Sequence, residues 1–277
     1  MTMYNLKDKV AIVTGAGGKN GIGRAVADRL AQEGAKVVVT DIVEVPYSDG
    51  GWRGLSSVVE EITSRGGEAT KLLVDVTDAS SIDNAIDKAL NIFNRVDILV
   101  NNAGAPASKD RVSIVDLEEE DWDRVIDTNL KGVFLFSKSF AKELIAQKEG
   151  GKIINIASIA GKKGSATFGA YCASKAGVIR LTESIALDLA KFNINVNSIC
   201  PSWVDTERVD VYVEQLYEND LTHDQKRDLH LSSVESMIPL GRYATPEDVA
   251  KMVAFLSSEE SSFVTGASLN VSGGLIA

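Results

Sequence analysis

A tyrosine and a lysine lie four residues apart in the stretch Tyr171-Cys172-Ala173-Ser174-Lys175. The apolar pattern around them predicts a helix over Gly169–Leu189, and four residues make about one helical turn, so both side chains share a face. A phenol is a weak base at neutral pH, but a fixed ammonium beside it favours the phenolate. The pair is therefore suited to moving a proton on and off an alcohol oxygen. Because isolated Tyr-x-x-x-Lys pairs are common, a tyrosine that only packs on a lysine stem is the alternative.

A glycine-rich loop is predicted between the first strand, over 10–13, and the first helix, over 22–33. Its sequence is Thr14-Gly15-Ala16-Gly17-Gly18-Lys19-Asn20-Gly21-Ile22-Gly23. In the order strand, glycine loop, helix, backbone amides and the helix N-terminus can hold a pyrophosphate, and the glycines allow the backbone to approach it closely. A flexible turn is the alternative.

The second predicted strand, over 36–40, ends at Asp41. An acidic residue roughly 20 residues beyond a glycine loop can accept hydrogen bonds from the adenosine ribose. A carboxylate at this point would repel a 2′-phosphate, so Asp41 favours NAD over NADP. Lys19 in the glycine loop is the one contrary feature.

Strand and helix patterns alternate along the rest of the chain. Strands are predicted over 71–74, 96–100, 152–157 and 195–199, and helices over 55–65, from near Ser80, within 121–147, and from Thr245-Pro246-Glu247-Asp248 onward. This alternation predicts an α/β fold, a single Rossmann-type domain over 1–277 in which a doubly wound parallel sheet of about seven strands carries helices on both faces. In such sheets the ligand lies beyond the carboxyl ends of the strands.

Composition narrows the class of protein. The chain has 277 residues and a net charge of −10, which argues against a nucleic-acid surface. No apolar run approaches the about 18 residues of a membrane helix, and the first residues lack a signal-peptide layout. Cys172 and Cys200 cannot form a disulfide framework, and no cysteine–histidine cluster has metal-ligand spacing. We expect a cytoplasmic protein that binds no nucleic acid, membrane or metal.

Seven short motifs occur in a recognisable order. They are Thr14-Gly15…Gly21-Ile22-Gly23, Asp75-Val76, Asn101-Asn102-Ala103-Gly104, Asn129 in Asn-Leu-Lys-Gly, Ser158 in Ile-Ala-Ser-Ile-Ala-Gly, Tyr171…Lys175, and Pro201…Thr206. With these motifs the chain resembles the short-chain dehydrogenase/reductase family over essentially its whole length. Singly, Ser158 could be a turn cap, Asn129 a buried amide and Asp75 a strand end, but one site geometry uses them all.

The resemblance implies a role for each catalytic position. Tyr171 would be the general acid/base, and Lys175 would favour its phenolate and bind the nicotinamide ribose. Ser158 would bond the substrate oxygen, and Asn129 would anchor a proton-relay water. The implied cofactor-binding residues are Gly15, Asn20, Gly21, Ile22, Asp41, Asp75, Val76, Asn102, Gly104, Tyr171, Lys175, Pro201, Val204 and Thr206.

The chain departs from the family pattern at two places. Five residues separate Gly15 from Gly21, where the family has three, so which amide meets which phosphate oxygen stays open, with Asn20 and Lys19 both candidates for the adenosine phosphate or ribose. Ser202 stands where a glycine commonly follows the proline. Neither change removes a catalytic group.

A substrate lid is expected over about 203–237. Its apolar residues fit one helical stripe, which favours packing on the body over lining a pocket. We expect His223 and His230 to be surface lid residues rather than ligands. Lys162 and Lys163 either belong to a solvated loop or bind an anionic substrate group. The length of the lid resembles the branch of the family that acts on secondary alcohols, diols and sugars.

The leading hypothesis is an NAD-dependent oxidoreductase that interconverts a secondary alcohol (a diol, polyol, sugar or cyclic alcohol) and its ketone. A 3-oxoacyl-(acyl-carrier-protein) reductase is the enzyme alternative, expected to use NADPH and carry a basic docking patch. A dinucleotide-sensing scaffold is the non-enzyme alternative. The family usually buries the apolar faces of the helices within 121–147 and 169–189, and the terminal 264–274, between subunits, so we expect a homotetramer.

Overall fold

The computed structural model describes residues 2–47, 50–217 and 220–276. Within these residues seven strands form one parallel sheet in the order β3-β2-β1-β4-β5-β6-β7. The strands are β1 Val10–Thr14, β2 Lys36–Asp41, β3 Ala69–Leu73, β4 Ile98–Asn101, β5 Gly151–Ile156, β6 Ile194–Pro201 and β7 Ser268–Val271. The predicted doubly wound sheet is confirmed.

Nine helices accompany the sheet in the described parts of the chain. They are α1 Ile22–Gln32, α2 Leu55–Ser64, α3 Ala79–Phe93, α4 Glu119–Ile126, α5 Gly132–Gln147, α6 Gly169–Leu189, α7 Glu207–Leu216, α8 His223–Glu235 and α9 Pro246–Ser257. The predicted helical stretch 121–147 is interrupted, because a π turn, Asp127–Lys131, joins α4 to α5. None of the described helices is both long and apolar enough to cross a membrane.

The two faces of the sheet are buried by different helices. Alternate side chains of β1 point to opposite faces, so Ala11 and Val13 pack with α1, α2 and α9. Val10 and Ile12 pack with α3, α5 and α6 on the other face. Each fully buried valine or isoleucine among them stabilises the fold by about 1.5–3 kcal/mol.

The helix that begins at Pro246 follows its sequence signals closely. Thr245 Oγ1 accepts from the Asp248 amide at 3.4 Å, and Asp248 Oδ2 accepts from the Thr245 amide at 2.9 Å. Pro246 occupies the first helical position, where no amide hydrogen is needed. The predicted helix start is confirmed.

A crevice opens at the carboxyl edge of the sheet between β1 and β4. Strand β1 pairs with β2 on one side and β4 on the other. The chain leaves β1 for α1 on one face and leaves β4 for α4 and α5 on the other, which makes this boundary the topological switch point.

The start of α1 packs so closely on the glycine loop that a side chain there should destabilise the fold. A Cβ on Gly23 would overlap the Gly15 carbonyl oxygen and lie 2.7 Å from Asn102 Nδ2. We therefore expect Gly23→Ala to lower the free energy of unfolding by about 1–3 kcal/mol in urea denaturation. Gly21→Ala is the matched control, because its Cβ would approach nothing nearer than 3.5 Å. Equal stabilities of the two variants would contradict this packing.

Candidate active site

The crevice is a cavity of about 1190 Å³ at the carboxyl ends of the strands. Most of the predicted site residues line it: Gly15, Gly21, Ile22, Asp41, Asp75, Val76, Asn102, Gly104, Ser158, Tyr171, Lys175, Pro201, Val204 and Thr206. Asn20 and Asn129 are not among the lining residues. The fold thus brings residues from the ends of six strands together around one cavity.

Lys175 is buried one turn beyond Tyr171 on α6. Its Nζ donates to the Ile156 carbonyl at 2.7 Å and lies 5.8 Å from the centre of the Tyr171 ring. Burial, helped by the positive charge of Arg208, lowers the pKa of Lys175 to about 7. A negatively charged or hydroxyl-bearing partner would favour the charged form again.

Asn129 lies in the π turn and is fully buried. Its Oδ1 accepts from the Ala105 amide at 2.8 Å, and its Nδ2 donates to Ser174 Oγ at 3.1 Å. Ser174 in turn donates to the Tyr171 carbonyl at 2.8 Å. A π turn inserts an extra residue and re-aims the side chains beside it, a feature common at functional sites. Here it brings Asn129 between the loop after β4 and the first turn of α6.

Ser158 follows β5 and caps a short 3-10 turn. Its Oγ accepts from the Ala160 amide at 3.1 Å, which is the capping role considered from the sequence. An oxygen that accepts this bond still has its own hydrogen to donate. Because Ser158 also lines the cavity, capping and a bond to a substrate oxygen are compatible.

The end of β2 places Asp41 beside the glycine loop. Its Oδ2 accepts from the Gly17 amide at 3.0 Å and its Oδ1 from the Ile42 amide at 2.9 Å. Burial raises the pKa of Asp41, and these two bonds oppose that shift. Asp75, at the end of the next strand, accepts from Thr77 N at 2.8 Å.

The lengthened glycine loop is covered by the segment after β2. A Cβ on Gly17 would lie 2.7 Å from Pro46 Cδ, and Trp52 Nε1 donates to the Gly17 carbonyl at 2.8 Å. Arg24 lies over the Trp52 ring at 5.4 Å. The unusually long loop predicted over 43–54 thus packs, in its described residues, on the extra residues of the glycine loop.

A pyrophosphate would fit at the start of α1. The N-cap residue Gly21 provides no side-chain cap, so the first amides of the helix keep their need for an acceptor beside the cavity. A helix N-terminus also favours negative charge. The residues present therefore suit a dinucleotide with its phosphates at the glycine loop.

Comparison with known proteins decides the family. A family model described as enoyl-(acyl carrier protein) reductase matches residues 15–276. The chain belongs to the short-chain dehydrogenase/reductase family. It is 38% identical over 271 residues to a 3-oxoacyl-(acyl-carrier-protein) reductase of Thermotoga maritima, covering 98% of this chain and 99% of the relative.

Two further matches differ in what their names describe. A galactitol 2-dehydrogenase of Agrobacterium fabrum is 38% identical over 270 residues, which covers 97% of this chain and 98% of the relative. A solved structure from Agrobacterium tumefaciens, described as a 2-deoxy-D-gluconate 3-dehydrogenase with bound NADP, superposes with a TM-score of 0.81. It is 35% identical and covers 98% of this chain and 97% of its own.

In this short-chain dehydrogenase/reductase the exposure of one lid residue differs from the prediction. His230 was expected at the surface, but it is 4% exposed, with its ring centre 5.1 Å from that of Trp203 and 5.4 Å from that of Tyr212. Burial lowers the pKa of His230. The expectation was wrong because the two lid helices fold together around this ring. His223 is half-exposed, as expected, with Nδ1 2.7 Å from Glu214 Oε1.

The lid segment forms two helices whose apolar sides face each other. The buried residues of this cluster are Val209, Val213, Val234, Ile238 and Tyr243. A single helical stripe packed on the body was expected, but α7 and α8 pack together with Ile238 and Tyr243. Trp203, Val209 and Tyr212 also line the cavity.

The two lysines that follow Ser158 have different surroundings. Lys162 Nζ donates to the Ser268 carbonyl at 2.8 Å, whereas Lys163 lines the cavity.

Three charged residues of the site were not predicted from the sequence. Glu207 Oε1 accepts from the Asn20 amide at 2.5 Å, which ties α7 to the glycine loop. Arg208 donates to the carbonyls of Gly104 and Ala105. Arg111 lines the cavity beside Tyr171. No local pattern marks these residues, because each meets the site only through the tertiary fold.

The buried lysine makes stability depend on pH. Because the pKa of Lys175 is about 7 in the folded protein, the unfolded chain binds more protons from about pH 7 up to the ordinary lysine value. Raising the pH through this range should therefore raise the free energy of unfolding. In urea denaturation of the cofactor-free protein, the stability of the wild type relative to Lys175→Met should increase from pH 7 to pH 9.

The exposed Lys131, changed to methionine, is the matched control. A wild-type minus Lys175→Met difference that stays constant over the same pH range would contradict the burial of the ammonium.

Proposed function

We propose that this short-chain dehydrogenase/reductase is an NAD-dependent oxidoreductase acting on a CH–OH group, which interconverts a secondary alcohol and its ketone. The observation that carries the proposal is that Ser158, Tyr171 and Lys175 line the same cavity as Asp41. A sensing scaffold would have no need of these three side chains with Asn129 behind them.

Each catalytic side chain has a defined role in this proposal. Ser158 donates its hydroxyl hydrogen to the substrate oxygen, and Tyr171 exchanges a proton at the same oxygen. Lys175, in its charged form, stabilises the phenolate and binds a ribose hydroxyl. Asn129 fixes α6 against the loop after β4 and anchors the water that relays the proton. The bound nicotinamide supplies or accepts the hydride.

NAD is the proposed cofactor because a carboxylate ends β2. Asp41 is fixed by the amides of Gly17 and Ile42, so it cannot easily move away from a 2′-phosphate. The residues after it, Ile42 to Pro46, include no arginine or lysine that could bind such a phosphate. The observation that favours NADP instead is the NADP described in the structure of a relative that is 35% identical.

A polyol or sugar-type hydroxyl is the proposed substrate group. Two of the relatives carry names that describe oxidation of a secondary hydroxyl of a sugar alcohol or a sugar acid. The lid of two helices, α7 and α8, would close over such a substrate. We further propose that the domain spans the whole chain, that the enzyme is cytoplasmic, and that it assembles as a homotetramer through α5, α6 and the C-terminal edge.

A 3-oxoacyl-(acyl-carrier-protein) reductase is the second candidate. Its support is the relative that bears this name, at 38% identity over nearly the whole of both chains. The net charge of −10 would repel an acidic carrier protein, and Asp41 would disfavour NADPH. Reduction of a 3-oxoacyl thioester with NADPH, faster than oxidation of any polyol with NAD, would favour this candidate.

Removal of the Tyr171 hydroxyl should stop the proton transfer. We expect Tyr171→Phe to lower kcat by about 10²- to 10⁴-fold on whichever of a panel of secondary alcohols, polyols, cyclic alcohols and sugars the wild type oxidises. NADH binding, measured by its fluorescence, should stay largely unchanged. Tyr4→Phe, outside the cavity, is the control. Appreciable activity in Tyr171→Phe would show that another group moves the proton.

Removal of the Asp41 carboxylate should relax the choice of cofactor. We expect Asp41→Ala to lower the ratio of kcat/KM with NAD to kcat/KM with NADP by about tenfold or more, because the repulsion of a 2′-phosphate is lost. The exposed Asp116→Ala should leave the ratio unchanged. Equal rates with NAD and NADP in the unmodified enzyme would refute the role of Asp41.

A further inference from the structure

Arg111 lies against the proposed acid/base. Its guanidinium carbon is 4.5 Å from the centre of the Tyr171 ring and 4.3 Å from that of Phe168. The side chain lines the cavity, yet it is only 11% exposed. These two rings and the surrounding protein leave the cation little contact with water, which strengthens its attraction for an anion in the cavity.

Two nitrogens of this guanidinium, on different edges, lack hydrogen-bond acceptors. Arg111 Nε and Nη1 are shielded from solvent and have no hydrogen-bond partner. Nη1 lies 3.2 Å from Asp110 Oδ2, but not in hydrogen-bonding geometry, since Asp110 Oδ2 also lacks a partner. The other oxygen, Asp110 Oδ1, accepts from Arg124 at 2.9 Å. Buried donors without acceptors are costly, so this arrangement suits a site that a ligand completes.

Three other cations of the cavity, Arg124, Lys175 and Arg208, already have acceptors. Lys175 donates to the Ile156 carbonyl, and Arg208 donates to the carbonyls of Gly104 and Ala105. Burial lowers the pKa of Arg111, and the nearby charge of Arg208 contributes to the same direction. Five cations among the described residues line the cavity, and Arg111 is the one in contact with the Tyr171 ring that has two nitrogens without a hydrogen bond.

We propose that Arg111 binds a carboxylate of the substrate, so that among polyol- and sugar-type substrates the enzyme prefers a hydroxy acid, such as a sugar acid, or its oxo acid. This rests on the proposed function and names the substrate class for the same site. A carboxylate is planar and can accept two parallel bonds from one edge of a guanidinium. Contact of Arg111 with the Tyr171 ring places this carboxylate within a few carbon atoms of the reacting carbon.

Arg111 is a better anchor than the lysines considered from the sequence. Lys162 is engaged by the Ser268 carbonyl, and Lys163 lies on an exposed loop. A charge pair in a water-poor site is stronger than one in solvent. The lysines therefore add at most a weak attraction at the cavity mouth.

Matched substrates test the proposal. Hydroxy acids are compared with their methyl esters, with polyols of equal chain length and with the corresponding phosphate esters, in the wild type, Arg111→Gln and Arg111→Lys. We expect the wild type to prefer the hydroxy acid. Arg111→Gln should lower the ratio of kcat/KM for the acid to kcat/KM for its ester by about 10²-fold or more, mainly through KM for the acid. Arg111→Lys should keep part of the preference for the hydroxy acid, because a lysine retains the positive charge but lacks the planar guanidinium group.

Arg180→Gln is the control, since Arg180 is 79% exposed and pairs with Glu183. A wild type that prefers the neutral compounds or the phosphate esters would overturn the carboxylate site while leaving the oxidoreductase proposal intact. An equal loss of kcat on acid and ester in Arg111→Gln would show that the arginine only positions Tyr171. Turnover of none of these compounds would count against the proposed function itself.

Binding without turnover separates the two proposals further. Short hydroxy acids are titrated calorimetrically into the NADH-loaded Tyr171→Phe enzyme, with and without Arg111→Lys. We expect Arg111→Lys to weaken binding of the hydroxy acid about tenfold or more, because a lysine cannot donate two parallel bonds to one carboxylate. Binding of equal strength in both variants would overturn the role of Arg111. Circular dichroism confirms that each variant is folded.

Discussion

The side-chain amide of Asn102 donates both of its hydrogens across the boundary between β1 and β4. They reach the carbonyls of Thr14 at 2.8 Å and Gly15 at 2.9 Å. In return, Thr14 Oγ1 accepts from the amides of Asn102 and Ala103, each at 2.9 Å. These four bonds hold the glycine loop against the end of β4 at the point where the sheet changes direction. The width of the crevice, and therefore everything that lies across it, depends on them.

Tyr171, the proposed acid/base, is positioned from the same loop. Beyond Asn102 the chain passes Ala105, whose amide bonds Asn129, and Asn129 bonds Ser174 one turn from Tyr171. On the opposite side Lys175 bonds the end of β5. The start of α6 is thus fixed by buried polar contacts to two strand ends, since buried polar groups must find partners. The helix presents Tyr171 at a set distance from the glycine loop, which a proton and a hydride moving at one substrate require.

The sequence was sufficient to predict the order of strands and helices and most of the cavity wall. Strand ends in a parallel sheet share one edge, so Asp41, Asp75 and Ser158 could be placed together from local patterns alone. Residues whose place depends on distant contacts could not be predicted. His230 has the same sequence neighbourhood whether exposed or buried, and only the pairing of α7 with α8 encloses it. Arg111 lies in a loop without periodicity, and its contact with Tyr171 spans sixty residues.

Transfer of deuterium tests the central claim most directly. A secondary alcohol that the enzyme oxidises is deuterated at its carbinol carbon and incubated with the wild-type enzyme and NAD in ordinary water. The reduced cofactor and the ketone are then examined by mass spectrometry. Direct hydride transfer beside Tyr171 predicts one deuterium in the reduced nicotinamide and none in the solvent. Reduced nicotinamide without deuterium, or retention of the label in the unreacted alcohol with no cofactor reduced, would contradict the account.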